Sequence, residues 1–158
     1  MNVRRRHRFS RLGTAAVEFA ICLPFLVVLI MGVWEVGRMV AVQQLLANAA
    51  REGGRQASAG LTSSTAVRQY VANYLTVNGL TGIDITMVTL TNITDSSRSD
   101  PTTANQLDQF RVTVTVPYST IQWSTLAQIS STSTLTASAD WFSMRDLPVT
   151  VDPTIPTS

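Results

Sequence analysis

The sequence predicts an α+β fold: one long N-terminal helix, apolar all round in its first half and amphipathic in its second, followed by a small antiparallel sheet. Three observations predict it. Phe19 to Trp34 reads FAICLPFLVVLIMGVW, sixteen residues without a charge. Glu35 to Ala59 then keeps a helical spacing of apolar and small residues. Beyond it, Gln109 to Thr120 alternates strictly, with Phe110, Val112, Val114 and Val116 on one side and Arg111, Thr113 and Thr115 on the other.

Taken in order, residues 1–13 form a basic leader containing Arg4, Arg5, Arg6, Arg8 and Arg11. Residues 14–34 form a transmembrane segment of 21 residues, enough to cross a hydrocarbon core of about 30 Å as a helix. Pro24 is tolerated there as a kink, because neighbouring groups re-satisfy the freed carbonyl. Trp34 suits the far interface. The arginine-rich side stays cytoplasmic by the positive-inside rule. Glu18 breaks the apolar character near its start, and a charge in lipid costs about 2.5–3.5 kcal/mol on insertion scales. A secretory signal is the competing reading, with Ala47-Asn48-Ala49 as an A-x-A pattern, but that site lies far past the apolar core, beyond Glu35 and Arg38.

Residues 35–59 extend the helix, with Val36, Met39, Val40, Leu46, Ala50 and Gly53 on one face and Arg38, Gln44, Arg51 and Arg55 on the other. Gly53-Gly54 is expected to weaken the helix, bending or ending it. Residues 60–146 are expected to form an extracytoplasmic α+β domain. Thr65 to Asn78 reads as a helix with Val67, Val71, Tyr74 and Leu75 inward, stopped at Asn78-Gly79. Ile83 to Ile93 reads as a first strand, Gln109 to Thr120 as the second and Thr132 to Met144 as the third. Residues 94–109 read as a loop, and residues 119–130, carrying Trp123, as a loop or short turn. Residues 147–158, with Pro148, Pro153 and Pro156, form a loose tail.

Composition excludes several functions. All twelve basic residues are arginine, and five precede Gly13. From Thr14 onward seven arginines face ten carboxylates, a net of −3. The basic balance thus belongs to the leader, and no nucleic-acid footprint spreads over the domain. Cys22 is the only cysteine and His7 the only histidine, which rules out an internal disulfide and gives no basis for a zinc site or a histidine-based triad. Cys22 reads as a small residue facing lipid or helix; acylation or an intermolecular disulfide stays open. There is no G-x-S-x-G, no phosphate-cradling G-x-x-x-x-G-K and no H-E-x-x-H. Asp84, Asp95, Asp100, Asp108 and Asp140 lack calcium-loop spacing and read as solvated or turn residues. Asn92-Ile93-Thr94 fits a glycosylation acceptor by letter only. The expectation is a protein without catalytic residues, cofactor or metal.

Three stretches together carry a resemblance: Gly13-Thr14-Ala15-Ala16-Val17-Glu18-Phe19, Glu35-Val36-Gly37-Arg38, and Ala49-Ala50-Arg51-Glu52-Gly53-Gly54-Arg55. They resemble the TadE-like proteins, minor pilins or pseudopilins of the bacterial tight-adherence (Flp-type) pilus system. The likeness covers about residues 10 to 58, with weaker fits at Phe110–Pro117 and Leu135–Arg145. It implies a pilin-like layout, cleavage by a prepilin peptidase after Gly13, and a mature chain starting at Thr14. It implies other pilins, the pilus assembly machinery, the peptidase and membrane lipid as partners, and a place in the bacterial inner membrane with the C-terminal domain outside. Cleavage would create an ammonium at Thr14, one helical turn from Glu18. Pairing Glu18 with that ammonium, in the same chain or a neighbour, offsets part of the cost of burying the charge. The rival reading is a single-pass anchored binding domain that enters no filament.

Overall fold

The computed structural model describes residues 7–121 and 133–145. A single helix, α1, runs His7–Ser58 over 52 residues, with Pro24 inside it. At about 1.5 Å per residue it is roughly 78 Å long. It begins within the leader, earlier than Thr14. Residues 13–30 are all exposed, and Phe25 is 75% exposed. By length and composition Gly13–Ser58 is able to cross a membrane.

The second half of α1 packs on the rest of the chain. Its inner seam is Glu35, Met39, Val42, Leu46, Ala50, Gly53 and Ala57, each three or four residues from the next, with Ala49 buried beside Ala50. This corrects the expected face: Val36 and Val40 are exposed, at 58% and 52%. Each lies about 100° round the helix from a seam position, so those two apolar letters were misplaced, while Met39, Leu46, Ala50 and Gly53 lie on the seam as expected.

Gly53-Gly54 does not end α1; the helix continues to Ser58. The pair removes side chains where other elements come closest. A Cβ on Gly53 would lie 2.5 Å from Val71 Cγ2, and one on Gly54 would lie 1.7 Å from the Trp141 indole.

Helix α2, Ser64–Val77, starts where the Ser63 side chain accepts from the Ala66 amide, an N-cap bond. Its inner face is Val67, Val71, Ala72 and Leu75. The first strand, β1, is Val88–Asn92, shorter than the expected Ile83–Ile93. Asp84 accepts from the Thr86 amide at 2.8 Å and caps a short 3-10 turn, Ile85–Met87, which takes the front half of that alternating run. Strand β2 is Gln109–Pro117. It stops before Thr120 because the chain turns into a short helix, α3, at Tyr118–Ile121. Strand β3 is Thr134–Phe142. Residues 122–130 of the expected loop, Trp123 among them, and the expected tail at 147–158 lie outside the described residues.

The sheet is antiparallel, in the order β1-β2-β3. Val88 pairs with Val114, and Val116 with Leu135. Phe110, Val112, Val114 and Val116 all point to the helical layer and are fully buried, as their alternation predicts. The expected α+β class, a long N-terminal helix with a small antiparallel sheet, is the observed one. The opposite face is hydroxyl-rich and carries one bidentate ion pair, Arg111 to Asp140, with Nε 2.7 Å from Oδ1 and Nη2 2.7 Å from Oδ2.

Candidate functional site

Arg4, Arg5 and Arg6 lie outside the described residues, and Arg8 and Arg11 fall in the first turns of α1. Gly13 is helical, and nothing stands within 4 Å of where its Cβ would be. Thr14 and Glu18 are exposed, one turn apart. Glu18 has no salt-bridge partner among the described residues.

At the other end of the apolar stretch, Glu35 is only 6% exposed. It heads the inner seam of α1, and the Tyr118 hydroxyl donates a hydrogen bond to its Oε1. A carboxylate in that position needs such a donor, since an unpaired buried charge is strongly destabilising. Burial, followed by the bond to Glu35, pushes the Tyr118 phenol up to about 12, against a smaller opposing pull from Arg38. Gly37 and Arg38 are exposed, and the Arg38 charge is close enough to act on the Tyr118 phenol.

The remaining motif residues separate by role. Ala50 and Gly53 are buried in the core. Glu52 receives Arg55 Nη2 at 2.5 Å and Arg55 Nε at 3.0 Å, and the Tyr70 hydroxyl donates to it at 3.2 Å. The bond from Arg55 holds the Glu52 carboxyl below its usual range, and the same carboxylate pushes the Tyr70 phenol up. Arg51 lies on the outer face, its Nη1 3.4 Å from Asn48 Oδ1. An open cleft of about 370 Å³ is lined by Asn48, Arg51, Glu52, Arg55, Tyr74 and Trp141.

Among the described residues, no group of three or more His, Cys, Asp or Glu is placed to hold a metal ion. The aspartates mostly make turns, as expected: Asp95 accepts from the Ser97 amide, and Asp100 from the Thr102 and Ser64 amides. Asp108 departs from that expectation. It is buried, and its Oδ2 accepts from Asn92 Nδ2 at 3.0 Å and from the Asn105 amide at 2.8 Å. The same bonds occupy the Asn92 amide nitrogen, which a glycan would need, and Asn92 is only 5% exposed.

The stretch from the Gly13–Glu18 junction through the Glu35 contact to the arginine-rich turn at Arg55 is one uninterrupted helix. The family model described as TadE-like protein matches residues 13–55. Over those residues the chain is similar to the TadE-like family. The match takes in Gly13, Glu18, the buried Glu35 and the Arg51–Arg55 turn, and it ends within one turn of the end of α1. The sheet lies outside the TadE-like segment. No curated protein and no solved structure matches the chain.

Two residues that complete this arrangement had no role in the sequence reading. Tyr118 looked like the end of a strand, and Trp141 like one aromatic within another. The only available signal for Tyr118 was a lone carboxylate at the head of an amphipathic stripe, which demands a donor from elsewhere.

Proposed function

We propose that this chain is a minor pilin or pseudopilin of a tight-adherence, Flp-type pilus. In this reading a prepilin peptidase cuts after Gly13, and residues 14–34 hold the mature chain in the bacterial inner membrane. The N-terminus stays cytoplasmic, and residues 60–146 stand outside as a non-enzymatic α+β domain. The partners are other pilins, the assembly machinery, the peptidase and lipid. One observation carries the reading: within the TadE-like stretch, a bare apolar helix bearing Glu18 one turn past Thr14 continues without a break into the outer domain.

The physical logic is that of a subunit stored in lipid and then moved into a protein assembly. Exposed apolar surface of this extent needs lipid or other helices around it. Glu18 is costly in the first setting and finds a partner in the second, where a neighbour's Thr14 ammonium offsets its desolvation. The test is the intact mass of the membrane-extracted chain from cells with a prepilin peptidase. Loss of residues 1–13 is the expected result. An uncleaved chain, or one starting at Ala50, overturns the reading.

A further inference from the structure

The Glu35–Tyr118 bond fixes how high the outer domain stands above the apolar segment. Strand β2 runs from Gln109, beside the far end of α1, down to Pro117, and α3 follows at once. Its nine residues cover about 30 Å at ~3.3 Å each, nearly the length of α1 from Glu35 to Ser58 at ~1.5 Å per residue. Loops therefore collect at two opposite ends. At the far end the Leu107 amide donates to the Ser143 carbonyl and the Met144 amide to the Ser58 carbonyl. At the near end Tyr118 touches the residue directly after Trp34, and Thr120 Cγ2 lies 3.4 Å from where a Cβ on Gly82 would be.

Arg38 belongs to this near end. It is exposed, and its charge bears on the Tyr118 phenol. Glu35, three residues earlier, is in helical reach as an ion-pair partner. It is turned into the domain instead, and Arg38 has no salt bridge among the described residues. Four residues of helix place Arg38 about 6 Å beyond Trp34. The headgroup layer on one side of a bilayer is about 5–7 Å thick. If the apolar run fills the hydrocarbon, the guanidinium stands at phosphate level, at the same end of the domain as α3, whose Tyr118 bonds Glu35.

We infer that the near end of the domain, α3 together with Arg38, is a contact site for phospholipid phosphate on the outer leaflet. The inference rests on the membrane reading above and adds a bound partner to it. Before assembly, the domain would sit on the bilayer surface and not swing free above it.

The test uses the full chain in phosphatidylcholine–phosphatidylglycerol vesicles containing a headgroup-attached quencher. Cys22 is replaced by Ser, and a fluorophore is placed through Ser119→Cys or, at the far end, Gln106→Cys; both positions are exposed. The expected result is that the Ser119 label loses most of its emission and the Gln106 label keeps it. Arg38→Glu, with its fold checked by an unchanged far-ultraviolet dichroism spectrum, is expected to restore emission at position 119, and Arg38→Lys to leave it quenched. Co-flotation with equal emission at both positions overturns the inference alone. Quenching that Arg38→Glu does not relieve removes the phosphate contact and overturns it too. A chain that fails to float with the vesicles overturns the membrane reading and this inference together.

Discussion

Glu35 is the residue whose surroundings differ most from its letter. In the sequence it ends an apolar run and looks like the first solvated position. In the structure it is buried, with the Tyr118 hydroxyl donating to it. Hydrogen bonds to charged groups contribute about 1.5–3 kcal/mol, and a buried carboxylate left without its donor bears the full desolvation cost. Tyr118→Phe is therefore expected to lower the stability of the α+β domain by about 2 kcal/mol. Glu35→Gln, which still accepts the bond, is expected to cost less; urea unfolding of the detergent-extracted chain measures both. The pH dependence has a definite sign. Folding holds Tyr118 as a neutral phenol up to about 12, whereas the unfolded chain ionises it near the usual value of about 10. The unfolded state loses its proton first, so the stabilisation is complete below about pH 10 and is lost as pH rises toward about 12. Tyr70, raised by its bond to Glu52, works in the same direction. Tyr118→Phe is expected to flatten the decline without abolishing it, and unchanged alkaline unfolding in that variant would remove the contact from the account.

At the scale of elements, the glycines of α1 divide by what faces them. Helix propensity alone favours Ala over Gly by about 1 kcal/mol at any interior position. Gly37 has open space around it, so Gly37→Ala is expected to stabilise the isolated chain by up to that amount. At Gly54 the new methyl would fall on the Trp141 indole, and overpacking of a tight contact costs about 1–3 kcal/mol. Gly54→Ala is expected to destabilise, and to perturb the near-ultraviolet signal of Trp141. Two shifts of the same sign in thermal unfolding would show that the helix–sheet contact does not set the outcome. This opposition also marks what the sequence could reveal. The alternation of Phe110 to Val116 encodes its own burial, because a strand's two faces are written in every second letter. The role of Gly53-Gly54 is not local: it depends on Val71, Val112 and Trp141, brought there by the fold. The same holds for Ile83 to Met87, where apolar alternation suggested strand but one side chain, Asp84, caps a turn first. The long helix, the second helix and all three strands were legible in outline; their ends and their docking were not, since both are set by contacts between elements.

At the scale of the whole molecule, the chain has two unlike halves on one helix: a bare apolar half with a carboxylate near its start, and a half that is the spine of a packed α+β domain. The junction at Gly13 and Thr14 was readable as a family pattern, and the role proposed for Glu18 is to pair with a Thr14 ammonium of the same chain or of a neighbour. Its role is decided by substitution. If Glu18 merely lies near the interface, Glu18→Ala removes a desolvated charge and is expected to be neutral or to favour insertion. If Glu18 pairs with a Thr14 ammonium, the variant is still cleaved and still resides in the membrane, but it no longer co-purifies with pilus material, and pilus number falls. Glu18→Gln separates charge from shape, since it keeps the size and the hydrogen-bonding capacity. Pairing in a low-dielectric site depends on the charge, so the glutamine variant is expected to fail in assembly nearly as completely as alanine. A glutamine variant that assembles normally overturns the ion pair and leaves the pilin assignment standing. Normal pili in cells lacking the whole chain overturn that assignment, and the anchored binding domain, with its cleft beside Arg51 and Trp141, becomes the better reading.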